Sequence, residues 1–155
     1  MRTRTSLIAT LLTLAVVAVA VPLATASPAN DNRLVIGIKL TFDSPTSPHA
    51  TGTFAACCAV NDAGNAEANI LSYTPSGDQA TFKATNTYTG HNGTFEILLK
   101  GVTGPLTSPI HIARAHWTVI SGTGAYTNLR GDGRLTAVTD DTNGSLAGIA
   151  TGEGR

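Results

Sequence analysis

Charged residues, aromatic residues and cysteines are all scarce in this 155-residue chain. Only 13% of the residues are charged, 5% are aromatic and two are cysteines. So few Lys, Arg and Glu residues leave little material for solvent-exposed helices, which are rich in these straight-chain helix formers. The formal net charge is zero, so the chain lacks the basic excess of nucleic-acid-binding domains, and we expect no nucleic-acid partner.

Metal ligands are missing in the spacings that metal sites use. The two cysteines, Cys57 and Cys58, are adjacent, so there is no C-x-x-C motif, and the four histidines show no H-x-H spacing. A structural zinc site usually needs four such ligands. We therefore expect no metal, and the sequence does not indicate any other cofactor.

Long apolar runs are missing everywhere except at the start of the chain. Arg2 and Arg4 precede an apolar stretch over residues 7–21, and the small residues Ala24-Thr25-Ala26 follow. This is the pattern of a secretory signal peptide, and the stretch is shorter than the roughly 20 apolar residues of a spanning helix. We expect a signal-peptide helix over residues 1–26, cleaved after Ala26.

Without this leader the chain is residues 27–155, which is one domain by its size. No further long apolar run follows the leader in the sequence. The leader holds two of the ten basic residues and none of the ten acidic ones, so the mature domain is slightly acidic. We expect it to be secreted or extracellular, with the cell envelope as the other destination, and to have no stable membrane insertion after cleavage.

The mature sequence reads as strands rather than helices. Apolar and polar residues alternate with a period of two, and Gly, Pro, Asn and Asp punctuate the segments, which is typical of strands joined by turns. Eight such segments are predicted, at residues 33–42, 51–60, 66–74, 79–89, 94–102, 110–120, 134–139 and 145–151. We predict an all-β fold, an eight-stranded antiparallel up-and-down β-barrel, with a two-sheet sandwich as the alternative.

An eight-stranded barrel has an interior that side chains fill or that holds one small ligand. The candidate lining residues are Phe54, Phe82, Asn86, Tyr88, His111 and Trp117. The two possible faces of strand 110–120 place either Trp117 and His111 or Arg114 and His116 inside. Burying an unpaired Arg114 would be costly, so we favour Trp117 and His111.

The two adjacent cysteines, Cys57 and Cys58, allow more than one interpretation. Neighbours in a strand point to opposite faces, so we expect Cys58 to be buried and Cys57 to be an outward thiol. A vicinal disulfide and an intermolecular bridge are the alternatives, because export favours disulfides.

No catalytic constellation is recognisable. There is no G-x-S-x-G elbow and no serine with an evident His and Asp context, so catalytic residues and enzymatic activity stay open. Residues 121–133 are expected to form an irregular corner with one helical turn near Tyr126. Tyr126 and Leu129 are three apart, so such a turn can direct both side chains into the barrel end as a plug.

The segment from His116 to Gly133 contains a W-T-V strand, an S-G-T-G-A-Y corner and an L-x-G-x-G entry to the next strand. In these 18 residues the chain resembles secreted bacterial proteins of the allene oxide cyclase-like barrel superfamily, which includes dirigent proteins. The resemblance implies an antiparallel barrel with an apolar cavity, assembly as a homodimer or homotrimer, and steering of cyclisation or coupling without metal or cofactor.

The sequence therefore supports two hypotheses. The first is an exported barrel that binds a small apolar molecule, with cyclase-like or isomerase-like activity. The alternative is a non-catalytic structural or interaction module of the cell envelope, with an interior filled by side chains. The first hypothesis does not identify the ligand.

Overall fold

The computed structural model of the protein describes residues 32–44 and 46–155. The predicted signal peptide, residues 1–26, lies outside them. Within the described residues, eight strands and one short 3-10 helix follow each other. They are β1 (Arg33–Phe42), β2 (His49–Cys58), β3 (Asp62–Ser76), β4 (Gln79–Gly90), β5 (Thr94–Gly104), β6 (Ile110–Gly122), the 3-10 helix Gly124–Tyr126, β7 (Gly131–Asp140) and β8 (Ser145–Gly154).

The strands form one closed barrel in which every strand pairs antiparallel with its neighbour in sequence. The last strand returns to the first, with Arg33 opposite Glu153 and Thr41 opposite Ser145. The predicted all-β up-and-down barrel is therefore confirmed, and the two-sheet sandwich is wrong. Across the described residues, no helix has the length and apolar character needed to cross a membrane.

The alternation of apolar and polar residues in the sequence corresponds to side chains that point alternately into and out of the barrel. In β6 every second residue from His111 to Val119 is buried, and Trp117 is fully buried. Arg114, between two buried alanines, is exposed. The favoured face of this strand is confirmed.

Large side chains fill one end of the barrel, which we call the closed end. It carries the turns at 59–61 and 91–93 and the corner 123–130. There the ring of Phe95 lies 4.9 Å from that of Tyr88 and 5.3 Å from that of Tyr126, between centroids. Such aromatic pairs add about 0.5–1.5 kcal/mol each beyond their burial.

The corner closes this end as predicted. Its 3-10 turn, Gly124–Tyr126, places Tyr126 in the core, and Leu129 is buried as well. Gly124 has a φ of +60° and its position has no room for a Cβ, because the backbone of Asn92 lies against it. A glycine is required there for both reasons.

Cys58 departs from the expected alternation. It is exposed, like Cys57, so the prediction of a buried Cys58 is wrong. Its φ is +81°, and this left-handed conformation ends the regular pleat of β2. Val60 then enters the core in its place, at 2% exposure.

Trp117 fits against the backbone of β7 and β8 because two glycines face it. A Cβ at Gly133 would lie 2.7 Å from Trp117 Cζ2, and one at Gly152 would lie 2.6 Å from it. The indole Nε1 donates a hydrogen bond of 3.2 Å to the Arg134 carbonyl, which satisfies its only polar group. The indole of Trp117 therefore occupies space that side chains at Gly133 and Gly152 would otherwise take.

We expect Gly133→Ala to lower the free energy of unfolding by about 1–3 kcal/mol, because it overpacks the contact with Trp117 and the Thr151 carbonyl. Chemical denaturation measures the change. The control is Gly37→Ala, whose Cβ would meet nothing nearer than the Ala55 carbonyl at 3.8 Å. Equal midpoints for the two variants would contradict this account of Trp117.

Candidate functional site

A cavity of about 490 Å3 occupies the other end of the barrel. We call this end of the barrel the open end. The loops after β1 and β7 contribute to the wall of the cavity. Aliphatic and aromatic side chains make up most of the lining. The lining residues are Ile38, Leu40, Phe42, Thr46, Ser47, Pro48, Ala68, Ile70, Tyr73, Phe82, Ala84, Asn86, Leu99, Thr103, His111, Ala113, Leu135, Thr139, Asp141, Gly144 and Leu146. Its size lies within the range of small-molecule sites.

Small inward residues create this space. Ala68, Ala84 and Ala113 point inward from three different strands and are buried. Interior positions of the closed end hold the large residues Phe54, Tyr88, Phe95 and Trp117 beside the smaller Ala56 and Ala66. The same strands thus carry a packed half and a hollow half, because residue volume changes along them.

Three of the six predicted lining residues, Phe82, Asn86 and His111, line the cavity. The other three, Phe54, Tyr88 and Trp117, also point inward but belong to the packed half, at 4%, 0% and 0% exposure. Their side chains support the floor of the cavity, and among them only Tyr88 is hydrogen-bonded to a lining residue, Asn86.

Asn86 is the polar group at the floor of the cavity. It is 2% exposed, and its Nδ2 donates a 3.2 Å hydrogen bond to the Tyr88 hydroxyl. Burial raises the pKa of Tyr88 well above its ordinary value, so the phenol stays neutral. With one amide hydrogen engaged by Tyr88, the Asn86 carbonyl oxygen and second amide hydrogen are the groups left for a ligand.

His111 lies higher in the cavity wall, near its mouth. It is 8% exposed, and its Nε2 is buried without a hydrogen bond in the described part of the chain. The Asp141 carboxylate lies 3.4 Å from this nitrogen, within ion-pair distance. The aligned geometry of a hydrogen bond is not reached, so His111 Nε2 is a polar group that a ligand in the cavity could engage.

Tyr73 and Asp141 complete the polar rim. Burial, and secondarily the negative charge of Asp141, raise the pKa of Tyr73. Tyr73 reaches the cavity because the register of β3 against β4 shifts between Ile70 and Ser72. This bulge moves the inward positions from even to odd numbers, so alternation in the sequence could not have identified Tyr73.

His49 fixes the start of β2 beside the cavity. Its ring nitrogens lie 2.6 Å from the Asp43 carboxylate and 3.1 Å from the Glu67 carboxylate. Hydrogen bonds to these two groups raise the pKa of His49. The imidazole thereby joins the loop after β1 to β3, and that loop contributes Ser47 and Pro48 to the cavity wall.

A buried carboxylate organises the closed end. The side chain of Asp62 is 3% exposed. It accepts a 2.7 Å hydrogen bond from the Tyr126 hydroxyl and further bonds from the backbone amides of Ala63, His91 and Asn92. These bonds, led by that of Tyr126, hold the pKa of Asp62 well below its ordinary value of 3.8. They join the β2–β3 turn, the β4–β5 turn and the corner.

The site has the groups for binding rather than an assembled set of reacting groups. Within residues 32–44 and 46–155, no cluster of three or more His, Cys, Asp or Glu side chains is placed to hold a metal ion. The polar groups are spread from the floor, Asn86, to the rim, His111 and Asp141. This arrangement can orient an apolar ligand that carries one or two polar atoms.

Comparison of the chain with protein-family models, with curated proteins and with solved structures finds no match.

We expect Asp62→Asn to lower the denaturation midpoint at neutral pH, because an amide accepts the four hydrogen bonds less well than a carboxylate. A lowered pKa in the folded state means that the stabilisation is present above pH 3.8 and is lost as the pH falls through the folded value. The difference from the wild type should therefore shrink below pH 3.8. Urea denaturation at a series of pH values measures it.

The matched control is Asp132→Asn, which removes an exposed carboxylate at the same end of the barrel. We expect this variant to follow the wild type throughout the series. A constant difference between Asp62→Asn and the wild type down to the lowest pH would contradict the ionised state of Asp62.

Proposed function

We propose that this chain is an exported barrel that binds a small apolar molecule in the cavity of its open end. The observation that carries the proposal is the cavity of about 490 Å3 beside an otherwise packed core. A barrel serving only as a solid module has no physical reason to keep alanines at Ala68, Ala84 and Ala113, because filling an interior void stabilises the fold.

The lining of the cavity supports an apolar ligand that carries one polar group. Ile38, Leu40, Leu99 and Leu135 offer an apolar surface, while Asn86 offers one donor and one acceptor at the floor. An apolar molecule with a single carbonyl or hydroxyl group fits the apolar surface and can form a hydrogen bond with Asn86. Cations gain little here, because the nearest carboxylate, Asp141, is half exposed at the rim.

A cavity of this kind can favour cyclisation or isomerisation of a reactive ligand. It holds the molecule in one folded conformation away from water, which lowers the entropic cost of ring closure. This is the activity implied by the resemblance to allene oxide cyclase-like and dirigent-like barrels. We propose it as a cyclase-like or isomerase-like extension of binding, without assigning a catalytic residue.

Native mass spectrometry of the mature protein, purified from its own host, tests the proposal directly. We expect a co-purified apolar molecule that is released on denaturation. The same spectrum reports whether the protein is a homodimer or homotrimer, as the resemblance implies. A ligand-free protein that also binds no added apolar probe would favour the alternative, a non-catalytic structural or interaction module of the cell envelope.

We expect Ala84→Leu to weaken binding of the uncharged fluorophore N-phenylnaphthylamine at least about tenfold, a loss of about 1.4 kcal/mol. The larger side chain occupies space that the ligand needs, and Ala84 is 5% exposed in the cavity wall. Fluorescence titration measures the dissociation constant, and thermal denaturation checks that the fold is retained.

The control for this titration is Ala63→Leu, which makes the same change at an exposed position of β3. We expect its affinity to equal that of the wild type. Undiminished binding by Ala84→Leu would place the fluorophore outside the cavity and contradict the proposed site.

A further inference from the structure

Cys57 and Cys58 end β2 at the closed end of the barrel, far along the strand from the cavity. Both side chains are exposed. Their sulfur atoms lie 2.8 Å apart. In a regular strand, adjacent side chains point to opposite faces, so this approach needs a specific backbone conformation.

The conformation is the φ of +81° at Cys58. It turns the side chain of Cys58 toward that of Cys57. A residue other than glycine is rarely found in this region, because the Cβ crowds the backbone. The surrounding structure maintains it, since Leu34 of β1 pairs with Cys58 and the next amide, that of Ala59, donates a 2.8 Å hydrogen bond to the Arg33 carbonyl.

A positive charge lies beside the pair. Arg33 Nη2 is 3.9 Å from Cys58 Sγ. The thiolate is the form of a cysteine that attacks disulfides. The site therefore combines two adjacent sulfurs, solvent access and a cation.

We propose that Cys57 and Cys58 are a redox-active dithiol that closes reversibly to a vicinal disulfide. The oxidant is a low-molecular-weight disulfide, R–S–S–R. The Cys58 thiolate attacks one of its sulfurs and releases the first R–S⁻, leaving a mixed disulfide on Cys58. The Cys57 thiolate then attacks Cys58 Sγ, forms the Cys57–Cys58 bond and releases the second R–S⁻.

The step is balanced. Two electrons pass from the two cysteines to R–S–S–R, and the two protons that the thiols lose end on two molecules of R–SH. The bond is easily reversed, because the Cα atoms of neighbouring residues are only about 3.8 Å apart. Ordinary disulfides prefer separations of about 4.4–6.8 Å, and strained, exposed ones have more oxidising potentials.

The redox proposal does not depend on ligand binding in the cavity. The experiment treats the folded, reduced protein with glutathione disulfide, quenches it with iodoacetamide and measures the intact mass without reductant. The chain has only two cysteines, so any intramolecular disulfide is the Cys57–Cys58 bond. We expect a monomer lighter than the reduced protein by two hydrogen atoms, with no alkyl group, and full alkylation after dithiothreitol.

Two comparisons make the test specific. In Cys57→Ser and Cys58→Ser, the remaining cysteine should carry glutathione or an alkyl group and never lose two hydrogens. In urea-unfolded wild-type protein, closure should be less favourable by at least about tenfold, because the folded backbone raises the effective concentration of one sulfur at the other. Stable glutathione adducts, interchain dimers, persistent double alkylation or equal closure in the two states would each overturn the proposal.

Discussion

The hydrogen-bonded ladder between β1 and β8 gives the domain its architecture. It closes the sheet, so that none of the eight strands keeps an unpaired edge. Closure also turns two faces of a sheet into one interior and one exterior. Every inward residue then shares a single enclosed volume, and the sizes of those residues decide whether that volume is filled or hollow.

The two ends of the barrel use this volume differently. At the closed end, Phe54, Tyr88, Phe95 and Trp117 fill the interior, and Tyr126 covers it from outside the strands. At the open end, alanines leave the cavity. The packed half thus supports the hollow half, because the Tyr88 hydroxyl holds the Asn86 amide at the floor of the cavity between them. A ligand site built on such a floor is preorganised, which lowers the ordering cost of binding.

Buried charge and unusual backbone are concentrated where the turns of the closed end meet. Asp62 gathers hydrogen bonds from two turns and from Tyr126, and Gly90 lies against its carboxylate so closely that a Cβ would not fit. The adjacent pair Cys57–Cys58 ends the strand that leads into the same region. The tertiary contacts of this end therefore maintain both a carboxylate with a lowered pKa and a cysteine with a positive φ.

The sequence alone predicted eight strands in a row and the inward face of most of them, because a period of two is a local property of neighbouring residues. It favoured a barrel but left the two-sheet sandwich open, and the pairing of β1 with β8 settles that choice. The sequence also placed His111 and Trp117 inside, since the other choice would have buried Arg114. The folded barrel sets which inward residues line the cavity, brings in Tyr73 through the bulge at Ile70/Ser72, and turns Cys58 outward. These depend on closure, register and neighbouring backbones, which bring together residues far apart in the chain and override the local alternation.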